Sequence, residues 1–302
     1  MTKMHYADYK TILSPNNGMN IYRGCTHGCI YCDSRSACYR MDHDFEDIEV
    51  KRNAPQILES QLKRKRNKCM IGTGAMCDPY IHLEEDLQMT RQCLSVIEKY
   101  GFGVSVLTKS SRILRDTDLL KSINEKAKCV VQVTLTTYDE ELCRKIEPNV
   151  STTFERFRVL KTMREAGIPT VVWLCPILPF INDSEENLRG LLDYCIEAKV
   201  RGILCFGFGV TLREGDREYF YHSIDRLFPG VKQKYIDRFG DSYVCNSPNN
   251  ARLTDIFIDV CKEHNMLYKM DEVLEYLRRF ETKSRQSSLS DHILGDPPSE
   301  HD

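Results

Sequence analysis

The 302-residue sequence lacks any apolar run that approaches the length of about 18 residues needed for a membrane-spanning helix. Its first ten residues, MTKMHYADYK, also lack the apolar stretch of a secretory signal. We therefore expect a soluble, cytoplasmic protein with no membrane partner. In that reducing compartment its 14 cysteines should be free thiols rather than a disulfide framework.

The sequence also lacks an excess of charge of either sign. It has 42 Lys and Arg against 44 Asp and Glu, so the formal net charge is -2 and the chain as a whole offers no basic surface for a nucleic-acid backbone. One basic run, residues 63–66, could contact phosphates. A run of this length is more often an exposed helix end, and we favour that interpretation.

Six apolar, β-rich segments alternate with stretches of helical period. This alternation is typical of βα units around a parallel sheet, and the uninterrupted apolar runs suit strands buried on both faces. Strands are predicted at 18–24, 69–75, 104–109, 130–136, 170–176 and 202–209, and helices near 84–100, 113–126, 153–166 and 184–198, with a further helical stretch between 45 and 66.

The predicted fold is an α/β partial (β/α)6 barrel over residues 1–210. Further helical patterns follow near 213–227, 231–239, 250–264 and 270–280, and they predict a C-terminal helical extension packed on the barrel over residues 211–282. Residues 283–302 are polar and Ser-rich, so we expect a flexible tail. Function in such barrels collects at the C-terminal ends of the strands, so a thiol loop directly after the first strand points to chemistry.

That loop reads RGCTHGCIYCD and places Cys25, Cys29 and Cys32 within eight positions, with no fourth cysteine at matching spacing. A structural zinc ion takes four ligands, usually as two pairs, and His27 or Cys38 could complete such a set. A four-iron cluster held by three thiolates would instead keep one iron open for a substrate. The residues by themselves leave both interpretations standing.

The spacing of CTHGCIYC resembles the CxxxCxxC motif of the radical S-adenosylmethionine (SAM) enzymes, on the loop where that family places it. The resemblance implies an enzyme in which Cys25, Cys29 and Cys32 bind a [4Fe-4S] cluster whose open iron chelates SAM. It implies reductive cleavage of SAM to a 5′-deoxyadenosyl radical, a step that only a cofactor can carry. A low-potential electron donor, a ferredoxin or flavodoxin, is the implied partner.

Five longer stretches resemble the spore photoproduct lyase-like branch of this superfamily, between about residues 15 and 185. They are NIYRGCTHGCIYC, GAMCDPYIHLE, LTKSSRILRDTDLL, VTLTTYDEELCRKIEP and AGIPTVVWLCPILPFIND. The resemblance implies that Lys109 binds the SAM carboxylate and that Thr134 contacts SAM. The alternatives are an exposed lysine and a threonine chosen only for its β propensity.

The resemblance also assigns the loop after the second strand, GTGAMCDPY, to the methionyl amino group of SAM. Thr73, Gly74 and Asp78 are the candidates, although Asp78 could instead close a turn. Tyr31 would stack on the adenine or shield the cluster.

Cys77 departs from the branch pattern. The hydrogen-donating cysteine of the lyase would fall two positions earlier, where this chain has Ala75. Cys77 is thus a SAM contact, a displaced hydrogen donor or a small buried residue. Only 24 residues precede Cys25, fewer than in the lyase, so thymine-dimer repair is not carried over.

The leading hypothesis is a radical SAM enzyme that acts on an unknown substrate, for which a nucleic acid is one candidate. Radical chemistry on a peptide or small metabolite is the first alternative, and a non-catalytic iron-sulfur or zinc-binding protein is the second. The remaining cysteines, Cys175 among them, are expected to be small core residues. Arg144 with Glu147, and Arg115 with Asp116, could form structural ion pairs.

Overall fold

The structure is a computed structural model that describes residues 3–283. The predicted tail, 283–302, therefore lies outside the described residues except for Lys283. Within the described part, every helix is too short or too polar to cross a membrane.

Strands and helices alternate along most of the chain. The strands are β1 (Met4–Ala7), β2 (Gly18–Met19), β3 (Tyr22–Arg23), β4 (Ile48–Lys51), β5 (Met70–Thr73), β6 (Gly103–Thr108), β7 (Cys129–Thr134), β8 (Thr170–Trp173), β9 (Gly202–Leu204), β10 (Gly209–Thr211) and β11 (Val244–Asn246). The helices are α1 (Ala54–Arg64), α2 (Glu84–Leu87), α3 (Met89–Lys99), α4 (Thr117–Lys126), α5 (Glu140–Ile146), α6 (Thr153–Glu165), α7 (Glu185–Glu197), α8 (Asp216–Leu227), α9 (Val231–Phe239), α10 (Asn250–Glu263) and α11 (Met270–Arg278).

Six parallel strands form the central sheet in the order β2-β5-β6-β7-β8-β9. Every residue of β6 and β7 is buried, as expected for strands covered on both faces. Over residues 3–283, β2 and β9 are the two edges of this sheet and do not pair with each other, so the barrel is partial. The predicted partial (β/α)6 barrel is confirmed.

Side chains cap the free backbone N–H groups at the start of α6 and α7, two of the helices between these strands. The Thr152 hydroxyl accepts from the N–H of Glu155, whose carboxylate accepts from the N–H of Thr152, and this capping box starts α6. Ser184 accepts from the N–H of Asn187 at the start of α7. The four predicted helices of the barrel are confirmed within a few residues.

The first predicted strand, 18–24, is wrong as a single element. Only Gly18–Met19 joins the central sheet, whereas Tyr22–Arg23 turns away and pairs with β4 in a separate three-stranded sheet of order β1-β4-β3. The predicted helix at 45–66 is also wrong in its first part, because Ile48–Lys51 forms β4. The sequence IEVK does alternate apolar and charged residues, but four residues are too few for the pattern to stand out.

The helix α1 begins at Ala54 with Pro55 in its first turn, where a missing N–H costs nothing. Lys63 and Arg64 are exposed in its last turn, so this part of the basic run is an exposed helix end, as expected. The short helix α5 was not predicted, although Asp139 caps it by accepting from the N–H of Leu142.

The sequence predicted only helices beyond Gly209, but the structure also has two strands in this part. Strands β10 and β11 form an antiparallel pair beside the barrel mouth, and α8 and α9 lie between them in the chain. The segment between α10 and α11 bonds to the edge strand β9, since the N–H of Ile203 donates to the carbonyl of Leu267 at 2.7 Å and the N–H of Leu267 donates to the carbonyl of Arg201 at 3.1 Å.

Candidate active site

A cavity of about 570 Å³ opens at the C-terminal ends of the sheet strands. Its wall comes from the cysteine loop, from residues 74–78 after β5, from 107–109 at the end of β6, from Thr134 at the end of β7, and from segments that follow β8 and β9. The edge at which parallel-barrel proteins place their chemistry is therefore a walled pocket in this molecule.

The three cysteines of the loop, Cys25, Cys29 and Cys32, all line this cavity. Backbone hydrogen bonds fix the loop, since the N–H of Cys25 donates to the carbonyl of Phe45 at 3.1 Å and the N–H of Ile30 donates to the carbonyl of Ile146 at 3.0 Å. Burial raises the pKa of the Cys29 and Cys32 thiols. The loop is thus held by main-chain contacts that leave its sulfurs directed to the cavity.

Gly24, just before the first of these cysteines, has a φ of +86°. A Cβ atom at this position would lie 2.5 Å from the carbonyl oxygen of Phe45, so the loop can approach its support only without a side chain. Gly74 plays the same part across the cavity, with a φ of +100° and a Cβ that would lie 1.9 Å from the carbonyl oxygen of Leu107.

An ion pair beneath the loop is completely buried. The carboxylate of Glu147 contacts the guanidinium of Arg156, and the hydroxyl of Tyr31 donates to the same carboxylate. Arg156 also donates to the carbonyl of Thr134 at 2.8 Å. The possible pairing of Glu147 with Arg144 does not form, because helix α6 supplies the partner of Glu147, and Arg144 lies 3.8 Å from Glu140.

Lys109 lies at the end of β6 with its side chain at the cavity wall. Its ammonium is 5.9 Å from the ring centroid of Tyr31. Burial by itself would lower the pKa of Lys109, but the electrostatic interactions of its ammonium with Cys29 and Glu147 outweigh burial and raise it. A partly buried cation therefore lies at the cavity wall beside the cysteine loop.

Asp78 fixes the backbone of Lys109. Its carboxylate accepts from the N–H of Lys109 at 2.7 Å, from the hydroxyl of Thr108 at 2.7 Å and from the N–H of Tyr80 at 2.8 Å. His27 Nδ1 lies 3.5 Å from the same carboxylate, and His27 Nε2 is buried with no hydrogen-bond partner among residues 3–283. Most of the hydrogen-bonding capacity of the Asp78 carboxylate is thus used by groups of the protein itself. Asp78 therefore acts first as a residue that positions Lys109.

The structure brings most of the candidate SAM contacts to one cavity. Tyr31, Gly74 and Thr134 line it together with Lys109, whereas Thr73 is a buried residue of β5 that does not reach the wall. Tyr31 uses its hydroxyl on Glu147, so only its ring remains for contact with a ligand.

Cys77 lies on the cavity wall against the cysteine loop. Its thiol donates to the carbonyl of Gly24 at 2.8 Å and contacts the thiol of Cys25, a contact that raises the pKa of Cys77 and lowers that of Cys25. Cys175, which was expected in the core, lines the cavity instead. It follows the buried strand β8, where the chain reaches the mouth of the barrel.

The donor set fits a cluster better than a single zinc ion. Cys38, one candidate fourth ligand, is exposed, accepts a hydrogen bond from Arg213 at 3.3 Å and does not line the cavity. Among residues 3–283, the one group of metal-binding side chains close enough for a single ion lies elsewhere, at His5, His43 and Glu49. Three separated thiols beside a partly buried cation suit a larger anionic group with open coordination.

Aromatic side chains at the mouth of the cavity were not predicted. Phe206 is 52% exposed, Tyr243 is 44% exposed, and the ring of Trp173 lies 5.6 Å from that of Phe206. Arg213 donates to the hydroxyl of Tyr243 at 2.6 Å. We call these four residues the aromatic mouth. The positions of Trp173 and Phe206 at or just after strand ends were a sequence signal that could have indicated part of it.

Comparison with protein families gives a match between residues 19–192 and the family model described as Radical SAM superfamily. An uncharacterized protein of Mycobacterium tuberculosis is 30% identical over 225 residues, which cover 72% of this chain and 65% of that protein. An uncharacterized protein of Methanocaldococcus jannaschii is 33% identical over 169 residues, which cover 55% of this chain and 62% of that protein. The matched part of the chain thus spans less than two thirds of either relative.

Two solved structures of spore photoproduct lyase share the fold. The lyase complexed with dinucleoside spore photoproduct gives a TM-score of 0.60 at 13% identity, over 88% of this chain and 81% of that one. A mutant of the lyase with bound AdoMet and dinucleoside spore photoproduct gives 0.58 at 13% identity, over 82% and 74%. At this identity the likeness is one of fold.

Replacing Gly74 with Ala should destabilise the protein by more than the roughly 1–3 kcal/mol that an unfavourable φ costs, because the new Cβ also overlaps the carbonyl of Leu107. Gly72, two residues earlier in β5, has no atom within 4 Å of its Cβ position, so Gly72→Ala should be neutral or stabilising by about 0.4–1 kcal/mol. Urea denaturation measures both free energies of unfolding. Equal values for the two variants would contradict the close approach.

The Glu147–Arg156 pair predicts a pH dependence. Burial raises the pKa of Glu147, but the charges of Arg156 and Lys109 and the bond from Tyr31 outweigh burial and lower it below 4.5. The stabilisation by its charged form is therefore complete above pH 4.5 and is lost as the pH falls through the lower, folded-state pKa.

Glu147→Gln should cost about 3–5 kcal/mol at neutral pH, because Arg156 loses its buried partner. The difference from wild type should shrink as the pH is stepped below 4.5. Glu141→Gln on exposed α5 is the matched control and should cost about 0.5 kcal/mol or less. Denaturation of metal-free protein across this pH range checks both, and a difference that stays constant or grows would disprove the assignment.

Proposed function

The chain belongs to the radical SAM superfamily, and we propose that it binds a [4Fe-4S] cluster through Cys25, Cys29 and Cys32 and acts on a nucleic-acid substrate. The observation that carries the proposal is the convergence of these three thiols on one cavity that also holds the ammonium of Lys109. Members of the superfamily use such a cluster together with SAM, so the chain is an enzyme.

When bound, the cluster supplies the electron that splits the sulfonium bond of SAM into methionine and a 5′-deoxyadenosyl radical. The residues of the protein bind and orient SAM and shield the cluster. In the proposal Lys109 pairs with the SAM carboxylate, because a partly buried ammonium at the cavity wall binds an anion more strongly than one in bulk water. Asp78 holds the backbone of Lys109 in place.

The remaining SAM contacts are proposed from position. Gly74 would expose its backbone to the methionyl amino group, and its neighbour Thr73 would contribute at most through the main chain. Thr134 would contact SAM from the end of β7, and the ring of Tyr31 would cover the adenine or the cluster. Cys77 would donate hydrogen or pack against Cys25.

An electron donor is required by all radical SAM enzymes, and we propose a ferredoxin or flavodoxin. The 14 cysteines are free thiols, which supports a cytoplasmic enzyme that receives electrons from such a protein.

The nucleic-acid substrate is supported by the aromatic mouth. Exposed rings bind unpaired bases by stacking, at about 1–3 kcal/mol per base, and an arginine beside them adds attraction for phosphate or for a base plane. Phe206, Trp173, Tyr243 and Arg213 provide these groups at the entrance of the cavity. The same fold in spore photoproduct lyase has been solved with a dinucleoside, which agrees with this substrate class.

Cys29→Ala should remove both the cluster and the chemistry. Anaerobically reconstituted wild type should contain about four irons per chain and release 5′-deoxyadenosine with dithionite and SAM, whereas Cys29→Ala should do neither. Cys38→Ala, a nearby exposed cysteine outside the cavity, should behave as wild type. Iron analysis and chromatography of the nucleoside provide the readouts, and wild type that holds one zinc and no iron would overturn the proposal.

Phe206→Ala should weaken binding of a single-stranded oligonucleotide by roughly 5- to 150-fold, the equivalent of one lost stacking contact. Phe154 on α6 is 49% exposed but does not line the cavity, so Phe154→Ala is the matched control and should bind as wild type. Fluorescence anisotropy at two salt concentrations measures affinity and its salt dependence. Equal affinities for wild type and Phe206→Ala would favour a peptide or small-metabolite substrate.

A further inference from the structure

A second group of metal-binding side chains lies on the three-stranded sheet of β1, β3 and β4. One atom each from His5, His43 and Glu49 can act as a ligand, and these three atoms lie within 4.8 Å of one another. No residue of the cysteine loop belongs to this group. We infer that His5, His43 and Glu49 bind one zinc ion, separate from the cluster.

His5 is oriented as a zinc ligand would be. It stands on β1 directly beside Glu49 of β4, because the parallel register pairs these two residues. Its Nδ1 is 3.0 Å from the carboxylate of Asp47, and a proton shared there leaves the lone pair on Nε2. A carboxylate behind the far nitrogen of a histidine fixes the ring and raises its basicity, the arrangement common to zinc-bound histidines.

His43 shows the same arrangement with a different partner. Its Nδ1 lies 3.0 Å from the carbonyl oxygen of Asp44, so Nδ1 carries the proton and Nε2 the lone pair. That Nε2 is shut off from solvent and has no hydrogen-bond partner in the described part of the chain. A buried nitrogen without a partner costs free energy, and a metal ion would remove that cost. The rings of His43 and His5 meet edge to face, 4.8 Å apart.

Glu49 supplies the third donor and the charge. It is only 8% exposed, and Oε1 already accepts from the hydroxyl of Tyr9 at 2.5 Å. The other oxygen, Oε2, lies 3.9 Å from Nε2 of His5 and has no hydrogen bond to any residue between 3 and 283. A divalent cation between the two groups would pair with this nearly buried carboxylate.

The ligand chemistry selects zinc. Two neutral imidazoles and one carboxylate form a borderline donor set without thiolate, and zinc takes such N and O ligands at about 2.0–2.2 Å. Each donor atom would have to move by about 1 Å or less to come within bonding distance of a single central ion. His5 is partly exposed, so water can occupy the fourth position.

The ion would stabilise the segment that holds the cysteine loop in place. His43 and Asp47 flank Phe45, whose carbonyl accepts the N–H of Cys25, and His5 belongs to the N-terminal strand. Zinc bound there would join β1, the loop before β4 and β4 itself in one unit. Its proposed role is structural, so the inference stands whether or not the proposed substrate is correct.

The test titrates zinc chloride into full-length protein whose cluster has been reconstituted, so that the cysteine loop is already occupied. Wild type should bind one zinc per chain in addition to its iron, as measured by competition with a chromophoric chelator and by elemental analysis. His43→Ala and His5→Gln should each weaken binding by more than about 100-fold, and Asp47→Asn by about 10- to 100-fold. His222→Ala, on exposed α8, is the control and should bind as wild type.

Two further readouts keep the inference testable if a variant folds poorly. Zinc should raise the Tm of wild type and of His222→Ala but not that of His5→Gln. The side chain of His5 is partly exposed, so the His5→Gln variant is expected to fold. Cobalt in place of zinc should give a d–d spectrum without thiolate charge-transfer bands. Wild type that binds no more zinc than His5→Gln, or zinc whose binding is lost in Cys29→Ala, would overturn the inference.

Discussion

The buried ion pair between Glu147 and Arg156 is the contact on which the rest of the site depends. Through Glu147 it holds Tyr31 of the cysteine loop, and through Arg156 it reaches the carbonyl of Thr134 at the end of β7. One pair of charges thus connects helix α6, strand β7 and the loop with the three thiols. Two buried charges are stable in this position because each has several hydrogen-bonding partners. The positive charge of Lys109 further stabilises the carboxylate of Glu147.

The sheet explains why the other groups arrive at the same place. Parallel strands all end at one edge, so residues far apart in the chain, such as Gly74, Lys109 and Thr134, meet without any local sequence relation. The glycines at 24 and 74 then let backbone approach backbone where a side chain would collide. The cavity between the strand ends is large enough for a nucleotide-sized ligand, and the partly buried cation of Lys109 lies at its wall.

The sequence predicted the barrel and the thiols because both are local signals. CTHGCIYC is read from one short stretch, and each apolar run marks one strand. The division of 18–24 between two sheets could not be predicted in this way, because β3 depends on pairing with β4, which lies more than twenty residues away. The partnership of Glu147 with Arg156 could not be predicted for the same reason. The ion pair forms because α6 packs beneath the loop, whereas the sequence offered only the nearby Arg144.

The central claim is that three thiolates leave one iron free for SAM. Electron–nuclear double resonance of the reduced cluster, with SAM that carries magnetic isotopes in its carboxylate and amino groups, tests this claim most directly. The account predicts hyperfine coupling from both labelled groups to the cluster. A protein with an intact [4Fe-4S] cluster, saturated with labelled SAM and without such coupling, would show that the fourth iron has another ligand and would contradict the account.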